Sequence, residues 1–198
     1  MMIKDTIVLA THNKGKIREF KSILLPLGYD AIAVRNLLPD ITEPDETGTT
    51  FAENAKLKAL YYMKITGKPC LADDSGIIAD ALHGRPGVYS ARYAGPNCSD
   101  DQNNEKLIKD LSAVAPTQRQ AHYGCVLCLV WPDGRMLQTE GSCTGLIRDF
   151  YAGSNGFGYD PLFYIPDKGK TMAELTMAEK NKISHRGKAL EKLVEALT

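Results

Sequence analysis

The segment Pro69-Cys70-Leu71-Ala72-Asp73-Asp74-Ser75-Gly76 joins a short apolar run to two adjacent carboxylates and a glycine. The apolar residues predict a short buried strand, and the aspartates then lie at its carboxyl end, where open α/β sheets bind their ligands. Gly76 predicts a turn directly after them. Paired carboxylates at such a position suggest a metal site, although aspartate and serine at a turn also commonly satisfy local backbone groups.

A polar loop, Ala10-Thr11-His12-Asn13-Lys14-Gly15-Lys16, lies between an apolar run at 7–9 and a helical pattern of apolar residues. A helix amino terminus carries unpaired N–H groups and a partial positive charge, and two lysines add full charges, so the loop suits a triphosphate. It is not a Walker P-loop, because Ala10 and Ile17 replace the glycine and the hydroxyl residue of that motif. A solvated loop at a lysine-rich helix start is the alternative.

An acidic loop, Glu43-Pro44-Asp45-Glu46-Thr47-Gly48, precedes a helix predicted from Phe51 to about Ile65. Thr50 and Glu53 fit a capping box at the start of this helix, which assigns Glu53 a structural role. Asp45 or Glu46, in the loop before the helix, is then available to meet a cation, and their spacing does not decide between them. Acidic residues before a helix are also favoured by its dipole without any metal.

Asn54 and Lys58 lie four residues apart on the same predicted helix. Side chains with that spacing share a helix face, so both are expected to point towards a ligand bound by the acidic loop.

Two segments near the carboxyl end suggest recognition of a flat ring. Gly156-Phe157-Gly158-Tyr159-Asp160-Pro161 interleaves aromatic residues with glycines, which lets a ring approach the backbone and stack, although Tyr159 also fits a core position. Further on, Thr176 and Glu179 fit a second capping box, and Lys180, His185 and Arg186 offer donors to a base or phosphate. Gly187 is predicted in mid-helix, where glycine costs about 1 kcal/mol against alanine, so a neighbouring strand or a ligand is expected to approach closely.

Together these segments resemble the inosine triphosphate pyrophosphatase family, hydrolases that remove deaminated purine nucleoside triphosphates. The resemblance spans the chain, and its one visible departure is His12, where the family's loop usually has glycine. The matching stretches are Thr11-His12-Asn13-Lys14-Gly15-Lys16, Glu46-Thr47-Gly48, Phe51, Glu53-Asn54-Ala55, Lys58-Ala59, Ala72-Asp73-Asp74-Ser75-Gly76, Pro86-Gly87-Val88-Tyr89-Ser90-Ala91-Arg92-Tyr93, Phe157-Gly158-Tyr159-Asp160-Pro161, Ala173-Glu174-Leu175-Thr176, Glu179-Lys180 and Ser184-His185-Arg186-Gly187.

The resemblance implies roles for particular residues. Asp74 is implied to be the proton acceptor that activates water and also a Mg²⁺ ligand, with Asp45 or Glu46 as the second metal ligand. The implied substrate-binding residues are Thr11, His12, Asn13, Lys14, Gly15, Lys16, Asn54, Lys58, Ser75, Phe157, Gly158, Tyr159, Asp160, Lys180, His185 and Arg186.

The resemblance also implies the reaction, which is cleavage of ITP, dITP and XTP between the α and β phosphates to give the nucleoside monophosphate and pyrophosphate. Such an activity would cleanse the nucleotide pool and prevent incorporation of these nucleotides into DNA and RNA. Backbone N–H groups, or donors from His185 and Arg186, aimed at the 6-oxo group would reject adenine, which carries an amino donor there. Guanine shares the 6-oxo group, so its 2-amino group must be excluded by a filter that the sequence does not locate.

Composition fits one domain over residues 1–198. The chain has 24 acidic and 24 basic residues, so it shows no electrostatic footprint for nucleic acid or for an acidic membrane. Met1 to Asp5 are predicted to run straight into the first strand, with no targeting segment, so a cytoplasmic protein is expected. The five cysteines are expected to be reduced. Cys125 and Cys128 lie in an apolar strand pattern, where residues three apart point to opposite faces, so neither zinc nor redox use is expected.

The predicted fold class is α/β, with a mixed, twisted central sheet and flanking helices. Further predicted elements are a second short strand at 77–82, a helix capped by Ser99 or Asp100, a β-hairpin of 123–130 with 135–147 and a long final helix. The resemblance adds an elongated two-lobed single domain with the nucleotide cleft between the lobes, and a homodimer.

Two other functions are compatible with parts of the pattern. A nucleotide-sensing module would keep the lysines of the phosphate loop, but it would not need the paired acids. A pyrophosphatase for pyrimidine or modified nucleotides would use a similar scaffold, and a substrate panel would separate it from the purine enzyme.

Overall fold

The computed structural model describes residues 6–198, so the prediction for Met1 to Asp5 lies outside the described residues. The strands are β1 (Thr6–Leu9), β2 (Asp30–Ala33), β3 (Cys70–Ala79), β4 (Gln120–Val130), β5 (Met136–Ile147), β6 (Phe163–Ile165) and β7 (Lys170–Thr171). The α-helices are α1 (Lys14–Leu24), α2 (Val34–Leu37), α3 (Phe51–Thr66), α4 (Asp100–Asp110), α5 (Met177–Ile183) and α6 (His185–Leu197). Within residues 6–198, no helix has the length and apolar character needed to cross a membrane.

All seven described strands form one sheet, in the order β2-β1-β3-β4-β5-β6-β7. Strand β1 pairs in parallel with β2 and β3, whereas β6 pairs antiparallel with β5 and β7. The predicted mixed sheet with flanking helices is therefore confirmed. Strands β4 and β5 are neighbours joined by a turn in which Gly134 N–H donates to the Trp131 carbonyl, so the predicted hairpin is also confirmed.

The chain forms two compact units. The first contains the chain up to Asp74, residues 125–140 and residues 189–198, and the second contains residues 75–124 and 141–188. Strands β3, β4 and β5 each contribute residues to both units. The assignment of the whole chain to one domain stays a prediction.

The first unit has a core on each face of its strands, because alternate residues of a strand point to opposite faces. Ile7 and Leu9 of β1 pack on one face with α1 and α6, whereas Val8 packs on the other face with α3. In β4, Cys125 belongs to the α1 side and Cys128 to the α3 side, so the predicted opposite orientation of these cysteines is confirmed. Burial on both faces explains why these strands are continuous apolar runs.

The second unit has its own core. Apolar side chains from β3, α4, β4, β5 and β6 meet there, and Tyr159 is packed among them. The fully or nearly fully buried members include Ile77, Leu107, Leu111, Tyr123, Ile147, Tyr159, Leu162, Phe163, Met172 and Leu175.

The predicted glycine turn after the aspartates is wrong. Strand β3 continues from Cys70 to Ala79, so residues 77–79 of the predicted second strand are the end of the same strand, whereas Asp80–Leu82 form a 3-10 helix and that part of the prediction is wrong. Gly76 is needed for close approach instead of a turn, since a Cβ there would overlap Ser90 Oγ and the Gly87 carbonyl. The prediction failed because buried charges in mid-strand are unusual, and here lysines compensate them.

The predicted long final helix is broken at Ser184, which separates α5 from α6. Gly187 consequently lies in the first turn of α6 and not in mid-helix. Close approach to this glycine was correctly predicted, but the group that approaches is the Asn181 carbonyl of α5, which a Cβ would overlap. The break places His185 and Arg186 at the start of a new helix.

Candidate active site

The two adjacent aspartates of β3 do not share a site. Both are buried in mid-strand, and consecutive strand residues point to opposite faces. Asp73 meets Lys16 of α1, with Nζ 3.0 Å from Oδ2. Asp74 meets Lys58 of α3, with Nζ 3.1 Å from Oδ1. Each carboxylate is therefore neutralised by a lysine from the helix that covers its own face.

Asp74 lies at the centre of a polar cluster in the first unit. Asn54 Nδ2 donates to Asp74 Oδ2 at 3.2 Å, and Lys58 Nζ donates both to Asp74 and to Glu46 Oε1, the latter at 2.6 Å. The predicted shared face of Asn54 and Lys58 is confirmed, since both reach the same carboxylate. The capping box of Thr50 and Glu53 is also confirmed, and it fixes the start of α3.

Burial raises the pKa of Asp74 above its usual value, and the nearby Glu46 carboxylate raises it further, whereas Lys58 and Lys16 lower it. Burial alone would lower the pKa of Lys58, but Asp74, Asp73 and Glu46 together hold it above its usual value. Lys58 is therefore a fixed positive charge. Asp74 is a carboxylate with a stronger affinity for a proton than an exposed aspartate.

Glu46 is the acid of the loop before α3 that reaches this cluster. Its carboxylate is 2.6 Å from the same Lys58 Nζ that contacts Asp74. The side chain of Asp45 is exposed, and only its backbone carbonyl takes part in a bond within the loop, accepting from Thr47 N–H at 3.1 Å. The structure thus distinguishes Glu46, which reaches Lys58, from Asp45, which is exposed, whereas their spacing in the sequence did not.

The phosphate loop leads into α1, which begins at Lys14. Asn13 caps the helix, because its Oδ1 accepts from Gly15 N–H at 2.8 Å and Lys16 N–H at 3.1 Å. The Asn13 N–H in turn donates to Thr11 Oγ1 at 3.2 Å. Lys14 is exposed to solvent, whereas the Lys16 ammonium contacts the Asp73 carboxylate. His12 contacts Glu43 in the acidic loop.

In the second unit, Asp160 organises the aromatic recognition loop. Its Oδ2 accepts from Lys180 Nζ at 2.7 Å and from Phe157 N–H at 2.9 Å, and both charged side chains are almost completely buried. The Lys180 ammonium also lies 4.7 Å from the centre of the Phe157 ring. Tyr123 donates its hydroxyl to Asp160 Oδ1 at 3.4 Å.

His185 and Arg186 lie beside this loop and are almost fully buried. The His185 ring stacks on Tyr123 with centroids 4.5 Å apart and planes inclined by 13°. Arg186 Nη2 donates to Ser75 Oγ at 2.9 Å, and its guanidinium lies 5.6 Å from the centre of the Phe157 ring. Each of these planar groups is thus held in a defined orientation.

Tyr159 is a core residue whose hydroxyl donates to the Ser90 carbonyl at 2.7 Å. Of the alternatives that the sequence left open for it, the structure shows the core position. Its neighbour Gly158 has a left-handed backbone, with φ of 62°.

Sequence reasoning missed residues that support these groups. Tyr123 was interpreted only as an apolar residue of a strand, although its hydroxyl donates to Asp160. Asp100 was interpreted only as a possible helix cap, although its Oδ2 accepts from Gly158 N–H at 2.7 Å. Partners so far apart in the chain leave no local signal. The cap of α4 is Ser99, the other candidate that the sequence offered.

The donor set fits a magnesium ion. Within residues 6–198, no three His, Cys, Asp or Glu side chains come together as a complete metal site. Magnesium does not need one, because it usually binds through one or two carboxylates, keeps several waters and takes its other ligands from phosphate. Asp74 and Glu46 are two carboxylates that already face one cation, the Lys58 ammonium.

Replacing Gly156 by alanine is expected to disturb the recognition loop selectively. The new Cβ would overlap Asp160 Oδ2, and Gly156 has φ of 82°, so the carboxylate that holds Lys180 must move. With a non-hydrolysable analogue of ITP, the ligand that the sequence resemblance implies, we expect the affinity measured by calorimetry to fall by about ten-fold or more. Gly169→Ala is the matched control, since its φ is 63° and nothing lies within 4 Å of its Cβ position. Equal affinity in the two variants would contradict this role of Asp160.

The chain is an α/β protein in which the first unit contains a cluster of carboxylates and lysines and the second contains buried Asp160, Lys180, His185 and Arg186 beside Phe157. The chain matches the Ham1 family over residues 7–196, and it belongs to that family. A relative from Desulforamulus reducens, named dITP/XTP pyrophosphatase, is 50% identical over 191 residues, which cover 96% of this chain and 94% of the relative. A Haemophilus influenzae relative of the same name is 49% identical over 197 residues, 98% of this chain and 100% of its own.

Solved structures agree with this assignment. The Ham1 protein of Staphylococcus aureus superposes with a TM-score of 0.84 at 45% identity, covering 97% of each chain. A HAM1 protein from Coxiella burnetii gives a TM-score of 0.87 at 42% identity and covers 100% of this chain and 98% of its own. The family resemblance predicted from the motifs is confirmed.

Proposed function

We propose that this protein is a Mg²⁺-dependent pyrophosphatase of deaminated purine nucleoside triphosphates, acting on ITP, dITP and XTP. The observation that carries the proposal is the cluster in which buried Asp74 and Glu46 meet at Lys58, because paired acids beside a fixed cation are what phosphoryl chemistry requires. Relatives about half identical over nearly the whole chain, named dITP/XTP pyrophosphatase, support the substrate class. A role in cleansing the nucleotide pool, a cytoplasmic location and a homodimer follow as further proposals.

Asp74 and Glu46 would hold the magnesium ion, and Asp45 is the less suitable acid because its side chain is exposed. When bound, the ion neutralises phosphate oxygens and makes the phosphorus more electrophilic. The loop from Thr11 to Lys16 would bind the triphosphate through lysine charges and the start of α1. Because Asn13 already accepts from the Gly15 and Lys16 N–H groups, the side chains of the lysines carry most of this role.

Asp74 would take the proton from the attacking water. Its raised pKa makes it a better base than an exposed aspartate, while the neighbouring charges of Lys58 and Lys16 favour its ionised form. Asn54 donates to the other oxygen of the same carboxylate, which fixes the orientation of the group. Water attack on the α phosphorus releases pyrophosphate and leaves the nucleoside monophosphate.

The recognition group of the second unit would select the base. Phe157 offers an aromatic face, whereas His185 and Arg186 offer planar donors whose orientation is fixed by Tyr123 and Ser75. Donors aimed at a 6-oxo group bind hypoxanthine and xanthine, and they face the amino donor of adenine unfavourably. Replacing His185 or Arg186 should therefore reduce the preference for ITP over ATP.

A nucleotide sensor is a weaker candidate. Burying the Asp74 carboxylate beside the like-charged Glu46 costs free energy, and binding alone does not require it. A pyrophosphatase for another nucleotide class keeps the same acids, so only the substrates separate it from this proposal.

The test is a comparison of kcat/KM for ITP, XTP, dITP, ATP, GTP and dUTP, with pyrophosphate as the detected product. We expect ITP, dITP and XTP to be hydrolysed far faster than the others, and chelation of Mg²⁺ by EDTA to abolish the reaction until excess Mg²⁺ is added. Faster hydrolysis of dUTP would favour the alternative substrate class, and tight binding without turnover would favour the sensor.

A further inference from the structure

Helix α4 holds the recognition loop by the backbone of Gly158. The Gly158 N–H donates to Asp100 Oδ2 at 2.7 Å, and its carbonyl accepts from Asn104 Nδ2 at 3.0 Å. These two groups belong to the peptides on either side of one Cα, so fixing both peptides fixes the φ and ψ angles of Gly158.

Gly158 needs such a restraint. Glycine visits many backbone conformations, and its left-handed φ of 62° is only one of them. A Cβ built at Gly158 would meet nothing within 4 Å, so no neighbouring group packs against that side of the residue. The hydrogen bonds to α4 therefore add to those of the turn itself, in which Phe157 N–H donates to Asp160 Oδ2 and Asp160 N–H donates to the Phe157 carbonyl.

The helix dipole favours the charge of Asp100 in the first turn of α4, but neither of the two side chains that form this clamp is the cap of the helix. Ser99 and Gln102 already cap the helix, so Asp100 is not required as its cap. Asn104 is 1% exposed, and its Oδ1 finds no hydrogen-bond partner within the part of the chain that the structure describes. A buried amide with an unsatisfied oxygen lowers the stability of the protein. The favourable contact that Asn104 makes is the hydrogen bond from its Nδ2 to the Gly158 carbonyl.

We propose that Asp100 and Asn104 are positioning residues that set the base selectivity of the enzyme. The inference rests on the proposed function. Gly158 lies between Phe157, whose ring lies against Lys180, and Asp160, whose carboxylate holds the same lysine. Movement of Gly158 therefore shifts the Phe157 ring, which would stack on the base, and the Asp160 carboxylate, which holds the Lys180 ammonium against that ring.

The test compares Asp100→Ala with Asp101→Ala, measured as the ratio of kcat/KM for ITP to kcat/KM for ATP. Both variants lose one negative charge from the first turn of α4, but only Asp100 contacts the loop among the hydrogen bonds described. We expect the ratio to fall by about ten-fold or more in Asp100→Ala, mainly through KM for ITP, since small misplacements at a site are costly. It should not change in Asp101→Ala. Asp100→Asn keeps a side-chain oxygen that can accept from Gly158 N–H, and it should restore most of the selectivity.

Asn104→Ala provides an independent second variant, and it should also lower the ratio. A merely structural role would reduce the active fraction and lower both rates equally, which leaves the ratio unchanged. An unchanged ratio in both Asp100→Ala and Asn104→Ala, with a selective wild-type protein, would overturn the inference.

Hydrogen exchange of the Gly158 amide separates this inference from the proposed function, because it needs no substrate. Exchange should be faster in Asp100→Ala than in the wild-type protein and unchanged in Asp101→Ala. Equal exchange in all three would overturn the clamp. A wild-type protein that does not hydrolyse ITP would reject the proposed function, and the exchange rates would still decide whether α4 holds the loop.

Discussion

Replacing Asp74 by asparagine is expected to lower kcat for ITP by roughly 10²- to 10⁴-fold, the usual contribution of a positioned general base. Asparagine has nearly the same shape, and its one side-chain oxygen can still accept from Lys58, but it loses the second acceptor that Asn54 uses and it cannot take a proton from water. Steady-state pyrophosphate release with Mg²⁺ measures the effect. Asp80→Asn, an exposed aspartate just after the same strand, is the control and should retain full activity.

Stability should respond to Asp74→Asn in the opposite direction. Asp74 has a raised pKa in the folded protein, so its ionised form disfavours folding, and this penalty appears as pH rises from the unfolded pKa through the folded one. The variant lacks the penalty. Its free energy of unfolding in urea at pH 7 should be at least that of the wild-type protein, and this difference should shrink at acidic pH. Loss of both activity and stability would indicate a structural role for Asp74.

Replacing Lys58 by methionine is expected to destabilise the protein by about 3 kcal/mol at pH 7, since breaking a buried ion pair leaves charges uncompensated. Lys58 is 12% exposed, and its ammonium contacts both Asp74 and Glu46, which would then repel each other. The pKa of Asp74 would rise further, because Lys58 now lowers it. Urea denaturation should therefore show the largest loss at neutral pH and a smaller loss once Asp74 is protonated.

Lys56→Met on an exposed position of α3 is the matched control and should change stability little. The double variant Lys58→Met with Asp74→Asn should recover part of the lost stability, because it removes one of the two repelling charges. If the double variant were as unstable as the sum of both single variants, the proposed coupling between Lys58 and Asp74 would be wrong.

Elements with local signals were predictable from the sequence. The start of α3 follows from the capping box of Thr50 and Glu53, and the β4–β5 hairpin follows from the turn residues that end at Gly134 after an apolar run. Strands β2, β6 and β7 were not predicted, since they are at most four residues long and exist through pairing with distant strands. The break at Ser184 was missed because the residues around it favour helix on both sides.

The candidate site was predictable as a set of residues but not as a set of contacts. Asp73 and Asp74 looked like a pair as long as the strand was expected to end before them. Because β3 continues through both residues, their side chains point to opposite faces of the sheet, and each contacts a lysine of a different helix. Lys16 and Lys58 explain why the strand can continue, and that compensation depends on packing between elements that no local pattern contains.

Competition between substrates gives the most direct test of the proposed activity: the protein receives ITP and ATP together at equal concentration with Mg²⁺, and the nucleotides are separated by ion-exchange chromatography. We expect ITP to disappear first and to yield equal amounts of IMP and pyrophosphate while ATP remains. Consumption of ATP at the same rate, or formation of IDP and phosphate in place of IMP and pyrophosphate, would contradict it.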